Sequence, residues 1–184
     1  MQDLLKDVES KMTSAVDSLT RELGSVRTGR ASAALLETVR VDYYGTPTPV
    51  NQIASISVPD ARTLLIQPWE ATQLQAIEKA IIKSDLGLNP ANDGKLIRLT
   101  MPTPTEERRK QLARTVHKIA EEGLVAIRNV RREANDRLKA MAKDKKVSED
   151  EERRGHDQIQ KTTDRFVARV DEQLKKKEQE ILSF

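Results

Sequence analysis

The spacing of apolar residues divides the chain into three parts. In the first part, Leu5, Met12, Leu19 and Val26 recur every seven residues, which predicts an amphipathic helix with one narrow apolar seam. The last part of the chain contains two longer seams of the same kind, separated by a short polar link. Between these parts, apolar and polar residues alternate, as is typical of strands. The pattern therefore predicts three helices and an intervening segment that contains strands.

Proline placement supports the same division. All seven prolines lie between Pro47 and Pro104, and a proline inside a helix removes a hydrogen bond and clashes with the preceding turn. A lone amphipathic helix is marginal in water, so the first helix must pack against the last two. We therefore predict a three-helix bundle made of residues 1–30 and 105–184, with a domain of residues 31–104 inserted into it.

The inserted segment has the pattern of a small α+β domain. Alternation predicts four strands, at 39–44, 53–58, 62–67 and 95–101. Helical spacing predicts one helix at 70–84. Residues 45–49 are predicted to form a turn or an extended loop, and Pro59-Asp60 a turn between two strands.

The two helices after the insert have recognisable ends. Thr105 is a candidate N-cap, and the helix that follows is predicted to run to about Lys143, roughly 38 residues and about 57 Å at 1.5 Å per residue. Ser148 and Glu151 have the spacing of a capping box for the last helix. The first turns of that helix, 149–158, hold no large apolar residue. We expect them to project into solvent.

The bundle and the insert are joined by two chain crossings, near 30–33 and 102–105. We expect bending there, because few contacts need to cross such a junction. The predicted hinge residues are Arg30, Ala31, Ser32, Pro102, Thr103, Pro104 and Thr105.

Composition narrows the function classes. Charged residues are 33% of the chain and aromatic residues 3%, which suits a slender bundle better than a compact globule. The absence of cysteine excludes disulfides and thiolate zinc sites. We see no signal peptide and no apolar run long enough for a membrane span, so we expect a soluble cytoplasmic protein with no membrane partner.

Catalysis finds little support in the sequence. His117 and His156 are the only histidines, and neither lies at a known spacing from a nucleophile or a second ligand. His117 is interpreted as a helix-surface residue. No glycine-rich phosphate-binding loop is present. We therefore predict no catalytic residues, no metal site and no cofactor, with a hydrolase or ligase of unrecognised site as a remote alternative.

Basic residues are concentrated in one helix. The net charge is +3, but residues 105–147 hold thirteen basic and seven acidic residues, a net charge of +6. Arg128, Arg131 and Arg132 are spaced i, i+3 and i+4 on one face, and Lys139 follows one heptad after Arg132. Such a row suits bidentate contact with successive phosphates.

An alternative interpretation of this row is a solvated face with intrahelical salt bridges, from Arg132 to Asp136 or from Glu133 to Arg137. The residues alone do not choose between the two interpretations.

Two further groups of residues also have alternative roles. Arg27 and Arg30 lie near the first crossing and could contact RNA or cap the negative end of the first helix; their position favours capping. Tyr43, Tyr44 and Trp69 could form a base-stacking platform. Because aromatic residues are so few, core or partly buried roles are favoured.

Five segments in order along the chain carry a family resemblance. They are Val26–Ser32, Tyr43–Pro49, Ser84–Pro90, Thr105–Lys110 and Asn129–Asp136. Together they resemble the bacterial ribosome recycling factor family, over essentially the whole chain and at the family's length. Any one of them would be a weak signal, but the set is specific.

The resemblance implies an elongated, L-shaped protein in which the bundle is the long arm and the insert the short arm. It implies binding to the post-termination ribosome and, with elongation factor G and GTP hydrolysis by that partner, separation of the subunits. The long arm would lie against large-subunit ribosomal RNA through Arg128, Arg131 and Arg132, with Arg27 and Arg30 as additions. A monomer is expected. The main alternative function is a helical protein-binding adaptor without RNA contact.

Overall fold

The structure, a computed structural model, describes residues 1–183 and separates into two units. One unit contains Met1–Arg27 and Glu106–Leu182, and the other contains Thr28–Thr105. Within residues 1–183 there are four α-helices: α1, Gln2–Ser25; α2, Leu74–Lys83; α3, Glu106–Lys143; and α4, Glu149–Leu182. Helices α1, α3 and α4 form a three-helix bundle, which confirms the predicted bundle with an inserted α+β segment. No helix in the described range is long and apolar enough to cross a membrane.

The bundle core runs along one face of each helix. Its largest fully buried side chain is Phe166 of α4. The buried members on α1 are Leu4, Val8, Met12, Val16, Leu19 and Leu23. The predicted seam is confirmed at Met12 and Leu19, whereas Leu5 and Val26 at its two ends are only partly buried. Helix α1 ends at Ser25, with Val26 in extended conformation as its C-cap.

The last two helices begin and end close to the predicted positions. Helix α3 has 38 residues and ends at Lys143, as predicted. The capping box at α4 is confirmed, because the Glu151 backbone N–H donates to Ser148 Oγ (3.3 Å) and the Ser148 backbone N–H donates to Glu151 Oε2 (2.8 Å). These bonds satisfy donors that a helix start otherwise leaves unpaired.

The first turns of α4 do not simply project into solvent, as the sequence had suggested. Gly155 is buried, and a Cβ atom there would lie 2.8 Å from Leu138 Cδ2 of α3 and 3.0 Å from Met1 Cε. The absence of a side chain lets the two helices approach closely at this point. The apolar pattern missed the contact because glycine carries no hydrophobic signal.

The insert contains two antiparallel sheets and α2. The described strands are β1, Arg40–Tyr43; β2, Thr46–Pro49; β3, Ala54–Asp60; β4, Thr63–Pro68; β5, Pro90–Asn92; and β6, Ile97–Thr100. Strands β1 and β2 form a hairpin, and the other four form a sheet in the order β3-β4-β6-β5. Apolar side chains from the sheets and from α2 form a core separate from that of the bundle.

Two strands and one turn differ from the sequence prediction. Strand β2 was predicted as a turn or extended loop, and no strand was predicted at the position of β5. Both contain proline, which is tolerated at sheet edges. Pro59 and Asp60 lie in β3 rather than in a turn. The chain reverses at Ala61 and Arg62 instead, where Asp60 Oδ1 accepts from the Arg62 backbone N–H at 2.8 Å.

Candidate nucleic-acid interface

A row of basic side chains lies on one exposed face of α3. At about 100° per residue, Arg128, Arg132 and Lys139 fall within an arc of roughly 40°, and all three are exposed. Their neighbours Ile127, Ala134 and Leu138 point into the bundle core. We call Arg128, Arg132 and Lys139 the basic stripe; its geometry presents successive positive charges to one side of the helix.

Arg131 is placed differently from the basic stripe. It is only partly exposed, and its Nη1 donates to Gln160 Oε1 of α4 at 3.5 Å. Gln160 in turn donates to Asp164 Oδ1 at 2.7 Å. Arg131 therefore extends the positive charge from the basic stripe towards α4.

The two intrahelical salt bridges named in the alternative interpretation, Arg132–Asp136 and Glu133–Arg137, are not formed. Within residues 1–183, no carboxylate lies within ion-pairing distance of Arg132 or Lys139. Glu133 instead accepts from Lys11 Nζ of α1 at 2.8 Å, and Arg137 pairs with Asp7 of α1. The solvated-face interpretation, with pairs Arg132–Asp136 and Glu133–Arg137, was wrong in both of its named pairs.

Pairing between α1 and α3 also shifts the pKa values of Asp7 and Lys11. The hydrogen bond from Arg137, with a smaller attraction to Lys11, lowers the pKa of Asp7 below its ordinary 3.8. The hydrogen bond to Glu133 raises the pKa of Lys11 above its ordinary 10.5, and Asp7 adds to the effect. Both shifts favour the charged forms of Asp7 and Lys11, in agreement with their pairing across the two helices.

Only Arg128 of the basic stripe has an acidic partner in the described range. Its Nη1 lies 3.0 Å from Glu121 Oε1, with both side chains about half exposed. Pairs this exposed are weak and are easily exchanged for another anion. Arg128 therefore stays available to a phosphate.

Further basic residues that sequence reasoning missed, among them Arg114 and Lys143, lie on the same face of α3. Arg114 precedes Arg132 by eighteen residues, five helical turns, and Lys143 follows it by eleven, about three turns. Both are exposed. Their spacing is readable from the sequence, but both lie outside the dense basic cluster around residue 130.

Arg27 and Arg30 lie beyond the end of α1. Neither donates to an α1 carbonyl among residues 1–183, so any stabilisation of the helix end by these arginines would come from their charge alone, and that role stays a prediction. The end of α1 is closed locally instead: Ser25 Oγ donates to Glu22 O at 2.7 Å and the Val26 backbone N–H to Leu23 O. Arg27 is exposed and Arg30 is half-buried.

The two chain crossings are both tied to the turn between β3 and β4. The Ala31 backbone N–H donates to Ala61 O at 2.8 Å, and the Met101 backbone N–H donates to Arg62 O at 2.6 Å. Ser32 Oγ accepts from the Ala34 backbone N–H at 3.3 Å and caps a short 3₁₀ helix. Of the predicted hinge residues, Ala31 and Ser32 are thus bonded to the insert, whereas Pro102–Pro104 follow its last anchor.

Each histidine contacts a residue of a neighbouring helix in the bundle. His117 Nε2 lies 2.5 Å from Glu178 Oε1 of α4, and His156 Nδ1 lies 2.8 Å from Asn135 Oδ1 of α3. In the part of the chain that the structure describes, no group of three or more histidine or acidic residues is placed to hold a metal ion.

Comparison with known proteins identifies the family. The family model for ribosome recycling factor matches residues 19–182. The chain belongs to the ribosome recycling factor family. The ribosome-recycling factor of Carboxydothermus hydrogenoformans is 56% identical over 183 residues, covering 100% of this chain and 99% of that protein. The one from Oleidesulfovibrio alaskensis is 53% identical over 182 residues, covering 99% of each.

Solved structures of ribosome recycling factors share the fold. A solution structure of the ribosome recycling factor matches with a TM-score of 0.70 and 42% identity, covering 100% of this chain and 97% of that one. A second match has a TM-score of 0.63 and 51% identity, with 98% coverage of both chains. It is the T. thermophilus ribosome recycling factor, bound with the E. coli elongation factor G to the E. coli post-termination complex.

Proposed function

We propose that this protein is a translation factor that binds the post-termination ribosome and, with elongation factor G and GTP, splits it into subunits for a new round of protein synthesis. The observation that carries the proposal is its similarity to a ribosome recycling factor that is bound with elongation factor G to a post-termination complex, at 51% identity over 98% of both chains. The protein would act in the cytoplasm as a monomer, and GTP would be hydrolysed by the partner rather than by this chain.

The proposed contact with large-subunit ribosomal RNA uses the basic stripe. Arg132 and Lys139 have no ion-pair partner in the described part of the protein, which leaves their full charge for phosphates. Arg128 and Arg131 complete the surface, Arg114 and Lys143 extend it along α3, and Arg27 and Arg30 are further candidates. Phosphate contacts of this kind supply affinity that falls with salt concentration.

The two units are proposed to act as domains that move relative to each other. The bundle domain, 1–30 with 105–184, would hold the RNA, and the insert, 31–104, would face elongation factor G. Residues 30–32 and 102–105 would form the hinge. The anchoring of Ala31 and Met101 to the same turn supports this, because both crossings then leave the insert from neighbouring points.

The decisive experiment is subunit separation. Post-termination complexes are mixed with the purified protein in the presence and absence of elongation factor G and GTP, and free subunits are measured by light scattering or sedimentation. We expect separation only when all components are present. Failure to sediment with ribosomes at low salt would instead favour a helical adaptor that binds protein and not RNA.

The role of the basic stripe is tested by Arg132→Ala. We expect weaker ribosome binding and a smaller salt dependence, with the slope of log K against log salt reduced by roughly 0.7 to 0.9, about one phosphate contact. Arg137→Ala is the matched control, because it removes the same charge from the same helix at a position neutralised by Asp7. Equal losses in the two variants would contradict a specific role for Arg132.

A further inference from the structure

The β1–β2 hairpin holds a tyrosine in a strained backbone conformation. Tyr43 pairs with Thr46, so Tyr44 and Gly45 form a two-residue loop. Their φ angles are +49° and +83°. Two-residue loops with both φ angles positive favour Asn-Gly, because a side chain other than that of Asn or Asp is strained there. A tyrosine at position 44 is therefore unfavourable for the turn itself.

Burial does not compensate for this strain. The Tyr44 side chain is 74% exposed and Trp69 is 68% exposed, so the expected core role was wrong for both. Tyr43 is partly buried against the core of the insert, and its ring meets that of Tyr44 edge to face at a centroid distance of 4.7 Å. Backbone strain without a packing gain is a mark of functional positions.

A carboxylate is fixed between the hydroxyl groups of the two tyrosines, on the residue that follows Trp69 in the chain. Glu70 Oε1 accepts from the Tyr43 hydroxyl at 2.7 Å, and Oε2 accepts from the Tyr44 hydroxyl at 2.9 Å. The two hydrogen bonds lower the pKa of Glu70 below its ordinary 4.5, so it is ionised at neutral pH. A carboxylate has about four acceptor sites, so each oxygen can still accept another donor.

We propose that Tyr44, Trp69 and Glu70 form a recognition site for an arginine side chain in a basic segment of a partner protein. A planar guanidinium can stack on an exposed aromatic face and donate to a carboxylate at the same time. The fixed negative charge repels phosphate, which favours a basic protein over RNA. The site contains no residue of the basic stripe. An experiment that contradicts arginine recognition here would therefore leave the proposed RNA binding by α3 unaffected, and the reverse also holds.

The test uses the single tryptophan of the chain as a local reporter. In the ¹⁵N-labelled full chain, Trp69 gives the one indole N–H signal. Titration with an oligoarginine peptide at low salt should shift this signal saturably, and an oligocitrulline peptide of equal length should not. Citrulline keeps the shape of the side chain and removes its charge.

Glu70→Gln should weaken the oligoarginine affinity about tenfold, the size of one charge-assisted contact with stacking. Asp85→Asn is the control, since it makes the same charge change just beyond the other end of α2 and should leave the affinity unchanged. Equal affinity of wild type and Glu70→Gln would overturn the proposal. So would an indole shift with oligouridylate and none with oligoarginine, which would indicate a base-stacking surface.

Tyr44→Asn separates recognition from folding. It places Asn-Gly in the turn, so the melting temperature should be unchanged or higher, while the oligoarginine affinity should fall about fivefold. A variant that folds normally and binds as tightly as wild type would show that Tyr44 has no part in the site.

Discussion

Arg137 of α3 pairs with Asp7 of α1, and not with Glu133 one turn earlier on its own helix. Glu133 pairs instead with Lys11, which also lies 3.5 Å from Asp7. The four side chains thus join two helices. The acidic and basic groups of α3 at positions 133 and 137 therefore stabilise the contact with α1 instead of pairing with each other.

Asp7→Asn should lower the stability of the bundle modestly at neutral pH, because the pair is partly exposed. The folded pKa of Asp7 lies below 3.8, so its contribution is complete above the unfolded value and is lost as pH falls through the folded pKa. Urea unfolding should therefore show a difference at neutral pH that disappears in acid.

The control for this prediction is Asp17→Asn, at an exposed α1 position without an ion pair among the described residues. It should change stability little at either pH. A difference between Asp7→Asn and wild type that persists in acid would show that the effect comes from packing and not from the ion pair.

Two glycines have open space around them, and replacing each by alanine should change the free energy of unfolding in opposite directions. Gly24 lies in the last turn of α1 with helical backbone, and Gly45 has φ of +83°; a Cβ at either position would meet no atom within 4 Å. Gly24→Ala should stabilise by about 0.5 to 1 kcal/mol through helix propensity. Gly45→Ala should destabilise by about 1 kcal/mol through backbone strain. Denaturant midpoints with unchanged m-values would measure both, and the same sign in both would refute the argument.

Ser148→Ala should destabilise by about 1 kcal/mol, because it removes the acceptor for the Glu151 backbone N–H at the start of α4. Ser14→Ala is the matched control. Its hydroxyl bonds to Ser10 O within α1, and alanine there should leave stability equal or slightly higher. Similar losses in both variants would show that the cap is not the source of the effect.

The long helices were predictable because their signals are local. Each of these signals involves residues that are close in the sequence. They are the absence of proline, a threonine before acidic residues at the start of α3, and the spacing of Ser148 and Glu151. Adjacent Leu4 and Leu5 made the face of α1 ambiguous by one position, since only the partner helices decide which one is buried. The burial of Gly155 was unreadable for a related reason: its contact is with Leu138, on another helix.

For the candidate sites, too, the sequence did not show which contacts form between residues that are distant in the chain. The basic stripe could be found from spacing alone, but the pairing of Glu133 and Arg137 with Lys11 and Asp7, instead of with each other, depends on residues more than a hundred positions away. The exposure of Tyr44 was equally hidden, because composition favours burial of aromatic side chains. Only the hairpin register, Tyr43 opposite Thr46, places that ring at the tip of a turn.

Shortening the second crossing tests the proposed hinge. Met101 is held to the insert by its bond to Arg62 O, and α3 begins at Glu106, so the residues between them must absorb any change in the angle between the units. Deletion of Thr103 should leave ribosome binding near the wild-type level, because the basic stripe is untouched. It should block subunit separation by elongation factor G, because the insert would lose its range of movement. Thr103→Gly keeps the length and should support both steps. If the deletion variant releases subunits at the wild-type rate, residues 102–105 are a passive connection and the hinge proposal is wrong.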